Sequence, residues 1–368
     1  MKKLFYFIYK IFFSLGRLLP AKGNLVCLVS PHNAFLNDSL GEMKKEIERR
    51  GGYELRFVLG SDIKGKTSLM RVLSFFTSGA VNLARAKYIY LNDNFMPMAS
   101  LNFRKGTVIT QLWHGEGALK KICLDLDLPE KTVKLEKKIF SKYTYIITSS
   151  KSVVPVWAKA FGKDESAVLP LGSPRTDAFF RVTNSISDRE AFDCLYPGCR
   201  GKKLVLYAPT FRDDLGLDRE IPSHFDAYTF NLAFGEEYAL LTRLHPQVHS
   251  SSFGEGVTDV TDYPDIAGLL RLVDVLITDY SSVFMDYVLL DKPCIFYAYD
   301  LEAYSALRPF YGDYESTVPG PVVRSFDELL TVMRTAEVDE EKYARFKEYH
   351  LGSCDGKSAA RVADATLK

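Results

Sequence analysis

Short apolar runs rich in β-branched and aromatic residues alternate with helix-like segments along most of the chain. Such alternation is typical of parallel α/β layers. The predicted strands form two series, first residues 24–30, 53–59, 87–92, 107–113, 143–149 and 167–172, and then residues 203–209, 238–245, 273–279 and 293–299. The polar, turn-rich segment 181–203 lies between the two series and predicts a domain boundary.

The predicted organisation has four parts. An amphipathic helix at residues 1–20 precedes Rossmann-like domains at 21–190 and 200–335. A helical segment at 336–368 is expected to pack back across these domains. The fold class is therefore α/β, with two mostly parallel sheets facing a central cleft. Ligands of such sheets bind outside the carboxyl ends of the strands, so the chemistry is expected there.

The first twenty residues interrupt the alternation with a nearly continuous apolar stretch. Lys3, Lys10 and Arg17 recur every seven residues and would fall on one side of a helix. The stretch is shorter than the roughly 20 apolar residues of a spanning helix, and no A-x-A cleavage site follows it. We expect a helix that lies in the membrane interface with its cations toward anionic headgroups. A core-packing helix and a signal or spanning anchor are the alternatives.

Composition narrows the class of protein. A chain of 368 residues is long enough for two domains, and 47% hydrophobic residues are enough to build their cores. Lys and Arg (47) balance Asp and Glu (46), which argues against a nucleic-acid partner. The six cysteines are scattered without a CxxC pair, so reduced thiols are expected rather than disulfides or zinc ligands.

Residues able to do chemistry follow several predicted strands. The segment "QLWHGEG" places His114 after an apolar strand, with Gly115 and Gly117 on either side of Glu116. Histidine titrates near neutral pH and can act as a general base. A histidine bonded into a turn is the alternative for this residue taken alone.

Three further strand ends carry groups that suit phosphate oxygens. "LGSPRTD" supplies Gly172, Ser173 and Arg175, "LYAPTFRDD" supplies Thr210, Arg212 and Asp213, and "TRLHPQ" supplies Arg243 and His245. Each is weak alone, but together they favour an anion site.

The segment "VLITDYSSVFMDY" is the strongest local case. Ser281 and Ser282 precede a predicted helix, at whose start free amides and the positive dipole end attract anions. A simple helix cap would need only one such side chain. The candidates in this segment are Thr278, Asp279, Ser281, Ser282 and Asp286.

No metal or cofactor is expected. Asp125 and Asp127 form a DxD-like pair without a third ligand. The sequence contains neither of the phosphate-binding glycine loops G-x-x-x-x-G-K-S/T and G-x-G-x-x-G. The G-x-S-x-G motif of the catalytic-triad hydrolases is also absent.

Together these motifs resemble the CDP-glycerol glycerophosphotransferase family of wall teichoic acid synthesis, in the family's order and over about residues 105–325. The segment 308–323, which opens with Arg308, is similar to the family's next block. The resemblance implies a GT-B fold, with the acceptor on the N-terminal domain and the nucleotide donor on the C-terminal domain.

The implied reaction transfers glycerol phosphate, or a related polyol phosphate, from a CDP-polyol to a hydroxyl group and releases CMP. The implied acceptor is an undecaprenyl-diphosphate-linked glycan. The implied location is the cytoplasmic face of the membrane, with the enzyme bound peripherally to an anionic surface. A homo-oligomer is left open.

Carried over by motif, the resemblance implies that His114 activates the acceptor hydroxyl and that His245 and Arg243 bind the diphosphate. The implied donor-binding residues also include Arg212, Asp213, Thr278, Asp279, Ser281, Ser282 and Asp286, and the further candidates are Gly115, Glu116, Gly172, Arg175 and Arg308. Positive and dipolar groups would then replace a metal ion.

One departure from the family pattern concerns the number of units transferred. Polymerising members usually have Thr-Pro after the WHG segment, whereas this chain has Glu116-Gly117-Ala118, closer to the priming enzymes. It also begins without the long N-terminal extension of many polymerases. Both features favour a priming enzyme that adds one or a few units over a long-chain polymerase, and a short polymerase is the alternative.

Two other functions remain open at this point. A GT-B glycosyltransferase or a nucleotide-sugar 2-epimerase would use a UDP-sugar on the same fold. A membrane-associated assembly or regulatory subunit would have a degenerate site, and the intact His114, His245 and Ser281 argue against it.

Overall fold

The structure is a computed structural model that describes residues 2–31, 36, 38–60, 69–210, 212, 224–244 and 254–368. The chain divides into two compact units. The N-terminal unit contains Met1–Phe180 and Tyr349–Lys368, and the C-terminal unit contains Arg181–Glu348.

A parallel six-stranded sheet forms the centre of the N-terminal unit, in the order β2-β1-β3-β4-β5-β6 among the described strands. Its central strands are buried on both faces, as is typical of parallel sheets. The strands are β1 (Lys22–Ser30), β2 (Glu54–Leu59), β3 (Ala86–Leu91), β4 (Val108–Gln111), β5 (Tyr145–Ile147) and β6 (Val168–Leu169).

The helices of this unit cover the two faces of its sheet. They are α1 (Lys2–Gly16), α2 (Ser39–Arg50), α3 (Leu69–Ser74), α4 (Ala80–Arg85), α5 (Glu130–Phe140) and α6 (Val154–Phe161). A π-helical turn, Phe75–Gly79, joins α3 to α4, and Met96–Ser100 and Pro174–Phe180 are 3₁₀ turns.

The C-terminal unit contains a second parallel sheet, whose described strands run in the order β12-β11-β10-β7-β8-β9. They are β7 (Lys203–Ala208), β8 (Tyr238–Thr242), β9 (Val257–Asp259), β10 (Val275–Thr278), β11 (Cys294–Tyr297) and β12 (Val322–Val323). Its helices are α7 (Ser185–Leu195), α8 (Ala227–Phe234), α9 (Ile266–Leu272), α10 (Val283–Val288), α11 (Leu301–Leu307), α12 (Tyr314–Thr317) and α13 (Phe326–Met333).

The C-terminal helices are α14 (Glu340–Leu351) and α15 (Ser358–Thr366). Helix α15 lies in the core of the N-terminal unit, where Val362 and Ala363 pack with Val26, Leu40 and other buried residues. The amides of Ser358 and Ala359 donate to the carboxylate of Asp177 at 2.9 and 2.8 Å. Residues 349–368 are therefore an integral layer of that unit.

The ten predicted strands are all present, with shorter bounds in most cases. Two strands, β9 and β12, were not predicted, and both are sheet edges of three and two residues. The segment 181–203 was expected to be a turn-rich boundary. It contains helix α7, whose Phe192 is fully buried against Tyr196 and Tyr263.

Helix α1 has one face inside the N-terminal unit. Tyr9 and Phe13 are 0% and 1% exposed. The Tyr9 ring lies 5.3 Å from that of Phe75 and 5.4 Å from that of Phe95. The alternative of a helix packed on the core is therefore correct for this face.

The opposite face of α1 is apolar and exposed. Leu4 and Phe7 are 62% and 61% exposed, and the same stripe continues with Ile11, Leu15 and Leu18. Exposed apolar residues also lie on α3, where Leu69 and Met70 are 73% and 74% exposed. None of the helices in the described residues is long and apolar enough to cross a membrane.

Candidate active site

Four neighbouring strands of the N-terminal sheet bring polar residues to one edge. Asn92 and Asp93 follow β3, the segment Leu112–Glu116 follows β4, Ser149 follows β5, and Ser173 lies beyond β6. Because parallel strands end on the same side, groups that are far apart in the sequence meet here.

His114 is the exposed member of this edge, with 53% of its side chain accessible. Its Nδ1 lies 3.2 Å from the carbonyl oxygen of Asn92 and 3.9 Å from Oδ2 of Asp93. A carbonyl oxygen only accepts hydrogen bonds, so Nδ1 carries the proton and Nε2 keeps its lone pair. The arrangement leaves Nε2 as the basic atom of the ring.

The backbone turns sharply at Trp113, which has φ +59°. This left-handed conformation is rare for a bulky residue and costs about 1–2 kcal/mol. The Trp113 amide donates to Oε1 of Gln111 at 2.9 Å, and its indole stacks on His114 with 4.4 Å between ring centroids. Strain of this kind is typical of functional sites.

Glu116 and Arg175, both predicted candidates, meet directly behind His114. Oε1 of Glu116 accepts from Ser173 Oγ at 2.8 Å and lies 3.4 Å from Nε of Arg175. Nη1 of Arg175 donates to the carbonyl oxygen of His114 at 3.1 Å. Glu116 is only 6% exposed, so this cluster supports the backbone of the loop.

The predicted glycines have different surroundings. A Cβ atom built on Gly115 would meet no described atom within 4 Å. Gly172 has φ +87°, and a Cβ there would lie 2.3 Å from the carbonyl oxygen of Ser353. Gly172 therefore allows the C-terminal segment to pack closely, which is a structural role.

In the C-terminal unit, Arg212 is the centre of a buried ion network. Its Nη2 donates to Oδ2 of Asp279 at 2.7 Å, and its Nε donates to Oδ2 of Asp300 at 2.7 Å. Nη1 is bonded to the carbonyl oxygen of Thr210, and the Arg212 side chain is only 6% exposed. Tyr299 lies under the guanidinium, 5.0 Å from ring centroid to Cζ.

This network sets the ionisation of its members. Burial opposes the charged form of Asp300, but the hydrogen bond and charge of Arg212 outweigh burial and hold the pKa of Asp300 below its ordinary value. Burial also opposes the charge on Arg212, and its two carboxylate partners raise the pKa of Arg212 nonetheless.

Arg212, Asp279 and Thr278 were predicted to be donor-binding residues, and in this structure their side chains bond to other groups of the C-terminal unit. Asp279 accepts from the amide and hydroxyl of Thr210 at 2.7 and 2.6 Å besides pairing with Arg212. The Thr278 hydroxyl is fully buried and donates to the carbonyl oxygen of Ala208 at 2.6 Å. These side chains tie together the ends of β7 and β10.

The two serines remain accessible at the start of α10. Ser282 is exposed and Ser281 is partly buried, with a 3.5 Å hydrogen bond from the Val283 amide to Ser281 Oγ. Asp286, also predicted to be a donor-binding residue, is only 1% exposed.

Two of the four remaining candidates, Arg243 and Arg308, belong to the described residues. Nη1 of Arg243 donates to the carbonyl oxygens of Val260 and Tyr263 at 2.8 and 3.0 Å, and burial lowers the pKa of Arg243. Arg308 is exposed at the end of α11. His245 and Asp213 lie outside the described residues.

Several residues of these networks were not predicted. Asn92 and Asp93 belong to "YLNDN", a polar strand end that resembles the others, and Asp300 ends "FYAYD" in the same way. Those signals were available in the sequence. No group of three metal-ligating side chains suitable for a metal ion occurs among the residues that the structure describes.

Comparison with protein families matches residues 11–368 to the family described as CDP-Glycerol:Poly(glycerophosphate) glycerophosphotransferase. The chain is 32% identical over 371 residues to the teichoic acid poly(ribitol-phosphate) polymerase of Bacillus spizizenii, covering 98% of this chain but only 58% of the polymerase. It is 31% identical over 373 residues to the teichoic acid ribitol-phosphate primase of that organism, covering 99% of this chain and 95% of the primase.

Among solved structures, the wall teichoic acid polymerase TagF matches with a TM-score of 0.81 at 23% identity, over 97% of this chain and 93% of that chain. This similarity confirms the predicted α/β, GT-B-like fold class with two Rossmann-like sheets.

Replacing Arg212 tests the buried network. In Arg212→Leu, Asp279 and Asp300 lose their cation, and removing one partner of a buried pair costs about 3–5 kcal/mol. We therefore expect the urea unfolding transition of the C-terminal unit to shift to a lower urea concentration. The loss should shrink toward acid pH, because a carboxylate with a lowered pKa contributes stability above its ordinary pKa, and that contribution disappears as the pH falls.

Arg324→Leu is the matched control, since Arg324 pairs with Glu302 and Glu315 on the surface. Exposed ion pairs contribute little, so its transition should remain near that of the unmodified chain. Equal shifts in the two variants would contradict a structural role for the Arg212 network.

Proposed function

The chain belongs to the CDP-glycerol:poly(glycerophosphate) glycerophosphotransferase family, and we propose that it transfers a polyol phosphate from a CDP-polyol to a hydroxyl group of a lipid-linked glycan. The transfer would contribute to teichoic acid or a related cell-surface polymer. Relatives named for ribitol phosphate and for glycerol phosphate support a CDP-polyol donor, with CDP-ribitol and CDP-glycerol as the two candidates.

The observation that carries this proposal is the state of His114. Its ring is exposed at the strand ends, and the carbonyl oxygen of Asn92 holds the proton on Nδ1. Nε2 is then ready to accept a proton from a substrate hydroxyl. Asp93, 3.9 Å from Nδ1, would stabilise the imidazolium that forms.

The proposed reaction follows from that base. Nε2 of His114 takes the proton of the acceptor hydroxyl while its oxygen attacks the β-phosphorus of the CDP-polyol. The bond from that phosphorus to the bridging oxygen breaks, and CMP leaves with the electron pair. A phosphodiester joins the polyol phosphate to the acceptor.

The donor would be held by the C-terminal unit. Ser281 and Ser282 at the start of α10, with Arg243 and His245, are the groups we assign to the diphosphate. Their charge and hydrogen bonds would stabilise the leaving phosphate in place of a metal ion. Arg212, Asp279 and Asp300 would act indirectly, by fixing the strand ends beneath the donor.

We also propose that the exposed face of α1 docks on an anionic membrane at its cytoplasmic surface. Its apolar stripe begins with Leu4, Phe7 and Ile11, and Lys10 and Arg17 are exposed beside it. The lysine-rich helix α5 packs on the same 3₁₀ turn, Met96–Ser100, as α1 does. Apolar area flanked by cations is the composition of an interfacial surface.

The acceptor proposed here is an undecaprenyl-diphosphate-linked glycan, and the enzyme would add one or a few units. The Glu116-Gly117-Ala118 loop supports priming over long polymerisation. A UDP-sugar enzyme on the same fold is the alternative, and the family match over residues 11–368 argues against it.

A donor screen tests the proposed function. CMP should be released from CDP-ribitol or CDP-glycerol in the presence of a lipid-linked disaccharide acceptor, with no UDP released from UDP-sugars. In His114→Ala the rate should fall by about 10²–10⁴-fold, the usual contribution of a general base. Chromatographic measurement of CMP and UDP reports both results.

UDP release in this screen would favour the alternative enzyme class. Unchanged turnover by His114→Ala would show that His114 is not the base, even if a CDP-polyol is the donor.

Charge substitutions test the membrane surface. Because Tyr9 and Phe13 are buried, deletion of α1 would open the core, so we use Leu4→Glu, Phe7→Glu and Ile11→Glu combined. Each apolar side chain removed from water contributes about 1.5–3 kcal/mol, so binding to phosphatidylglycerol vesicles should weaken about a hundredfold or more. Vesicle sedimentation measures the effect.

The control introduces two glutamates on α8, where Tyr228 and Leu232 are 72% and 71% exposed. Tyr228→Glu with Leu232→Glu should leave vesicle binding intact. Unchanged binding by the α1 variant would exclude α1 as the docking face.

A further inference from the structure

A histidine that the proposed mechanism does not use lies against the catalytic loop. His350 is in the last turn of α14 and is 3% exposed. Its Nδ1 accepts a hydrogen bond from the amide of Ala118 at 3.1 Å. We call residues 114–118 the His114 loop, and His350 therefore contacts the end of this loop opposite His114.

The contact is close enough to restrict the loop sequence. Gly117 has φ +64°, and a Cβ atom there would lie 2.7 Å from Nδ1 of His350. The imidazole thus occupies the space that any other residue at position 117 would need. Only glycine satisfies both the left-handed backbone and the approach of the ring.

A second set of hydrogen bonds joins the same two segments. The Gly117 amide donates to Oγ of Ser149 at 2.8 Å, and that hydroxyl donates to the carbonyl oxygen of His350 at 2.6 Å. The indole of Trp157 donates to the carbonyl oxygen of Gly117 at 2.9 Å. The amides of Gly117 and Ala118 and the carbonyl group of Gly117 are therefore all hydrogen-bonded.

We propose that His350 is a positioning residue for the polyol-phosphate transfer assigned above, because its Nδ1 holds the Ala118 amide and so fixes the loop that presents His114. The loop is then anchored on both sides. Gln111 bonds to the amide of Trp113, the residue before the loop, and His350 bonds to the amide of Ala118, its last residue.

An imidazole suits this position because the bond needs an acceptor. Burial lowers the pKa of His350 to about 4, so Nδ1 keeps its lone pair throughout the neutral range. The C-terminal segment is in this way a part of the acceptor-side active site, although it is more than 200 residues from His114 in the sequence.

The test compares two amide variants. In His350→Asn the side-chain oxygen can lie where Nδ1 lies, whereas in His350→Gln the amide reaches the place of Nε2. We expect His350→Gln and His350→Ala to lower kcat for CMP release about tenfold or more, with KM for the CDP-polyol nearly unchanged, since small displacements of a base are costly. His350→Asn should retain kcat within about threefold of the unmodified chain.

A readout independent of activity is available because the chain has two tryptophans and both touch this loop. With 5-fluorotryptophan, the ¹⁹F resonances of Trp113 and Trp157 should keep their positions in His350→Asn and move in His350→Gln. Equal kcat and equal spectra for the Asn and Gln variants would overturn the proposal.

The fluorine spectra also separate this inference from the proposed function. If the unmodified chain released no CMP from any CDP-polyol, the function would be wrong, yet the spectra would still report on the loop. If His350→Ala failed to fold, the comparison of His350→Asn with His350→Gln would still test the positioning role of His350.

Discussion

The left-handed backbone at Trp113 is the constraint on which the placement of His114 depends. It ends β4 with a sharp turn and directs the next residue, His114, toward the carboxyl end of β3. The conformation costs free energy, and the Gln111 bond and the stacking of the indole on His114 offset that cost. The same contacts orient the imidazole.

In both units, buried polar groups form hydrogen bonds and ion pairs that fix the ends of the strands. In the N-terminal unit, Glu116, Arg175 and Ser173 fix the loop behind the exposed His114. In the C-terminal unit, Arg212 joins Asp279 to Asp300 beneath the start of α10. A rigid second layer of this kind keeps the reacting groups in place at little cost during the reaction.

Much of the fold could be predicted from sequence because a strand that is buried on both faces of a parallel sheet has a continuous run of apolar residues. The edge strands β9 and β12 escaped prediction since two or three residues carry no such run. Helix α7 was missed because it buries little besides Phe192, so its sequence is mostly polar.

The candidate site was harder to predict for a different physical reason. Arginine, aspartate and threonine at a strand end look alike whether they bind a ligand or one another. The distinction depends on partners far along the chain, such as Asp300, 88 residues from Arg212, or His350, 232 residues from Ala118. Local sequence therefore predicted that polar groups follow the strands but not which of these side chains bond to one another.

The hydrogen bond to the Asn92 carbonyl requires the proton of His114 on Nδ1 and leaves the lone pair on Nε2. The imidazole ¹⁵N chemical shifts of His114, assigned by comparison with His114→Gln, test this most directly at a pH where the ring is neutral. A protonated Nδ1 and a bare Nε2 are the predicted result. A proton on Nε2 would contradict the account, because that nitrogen could not then accept the acceptor's proton.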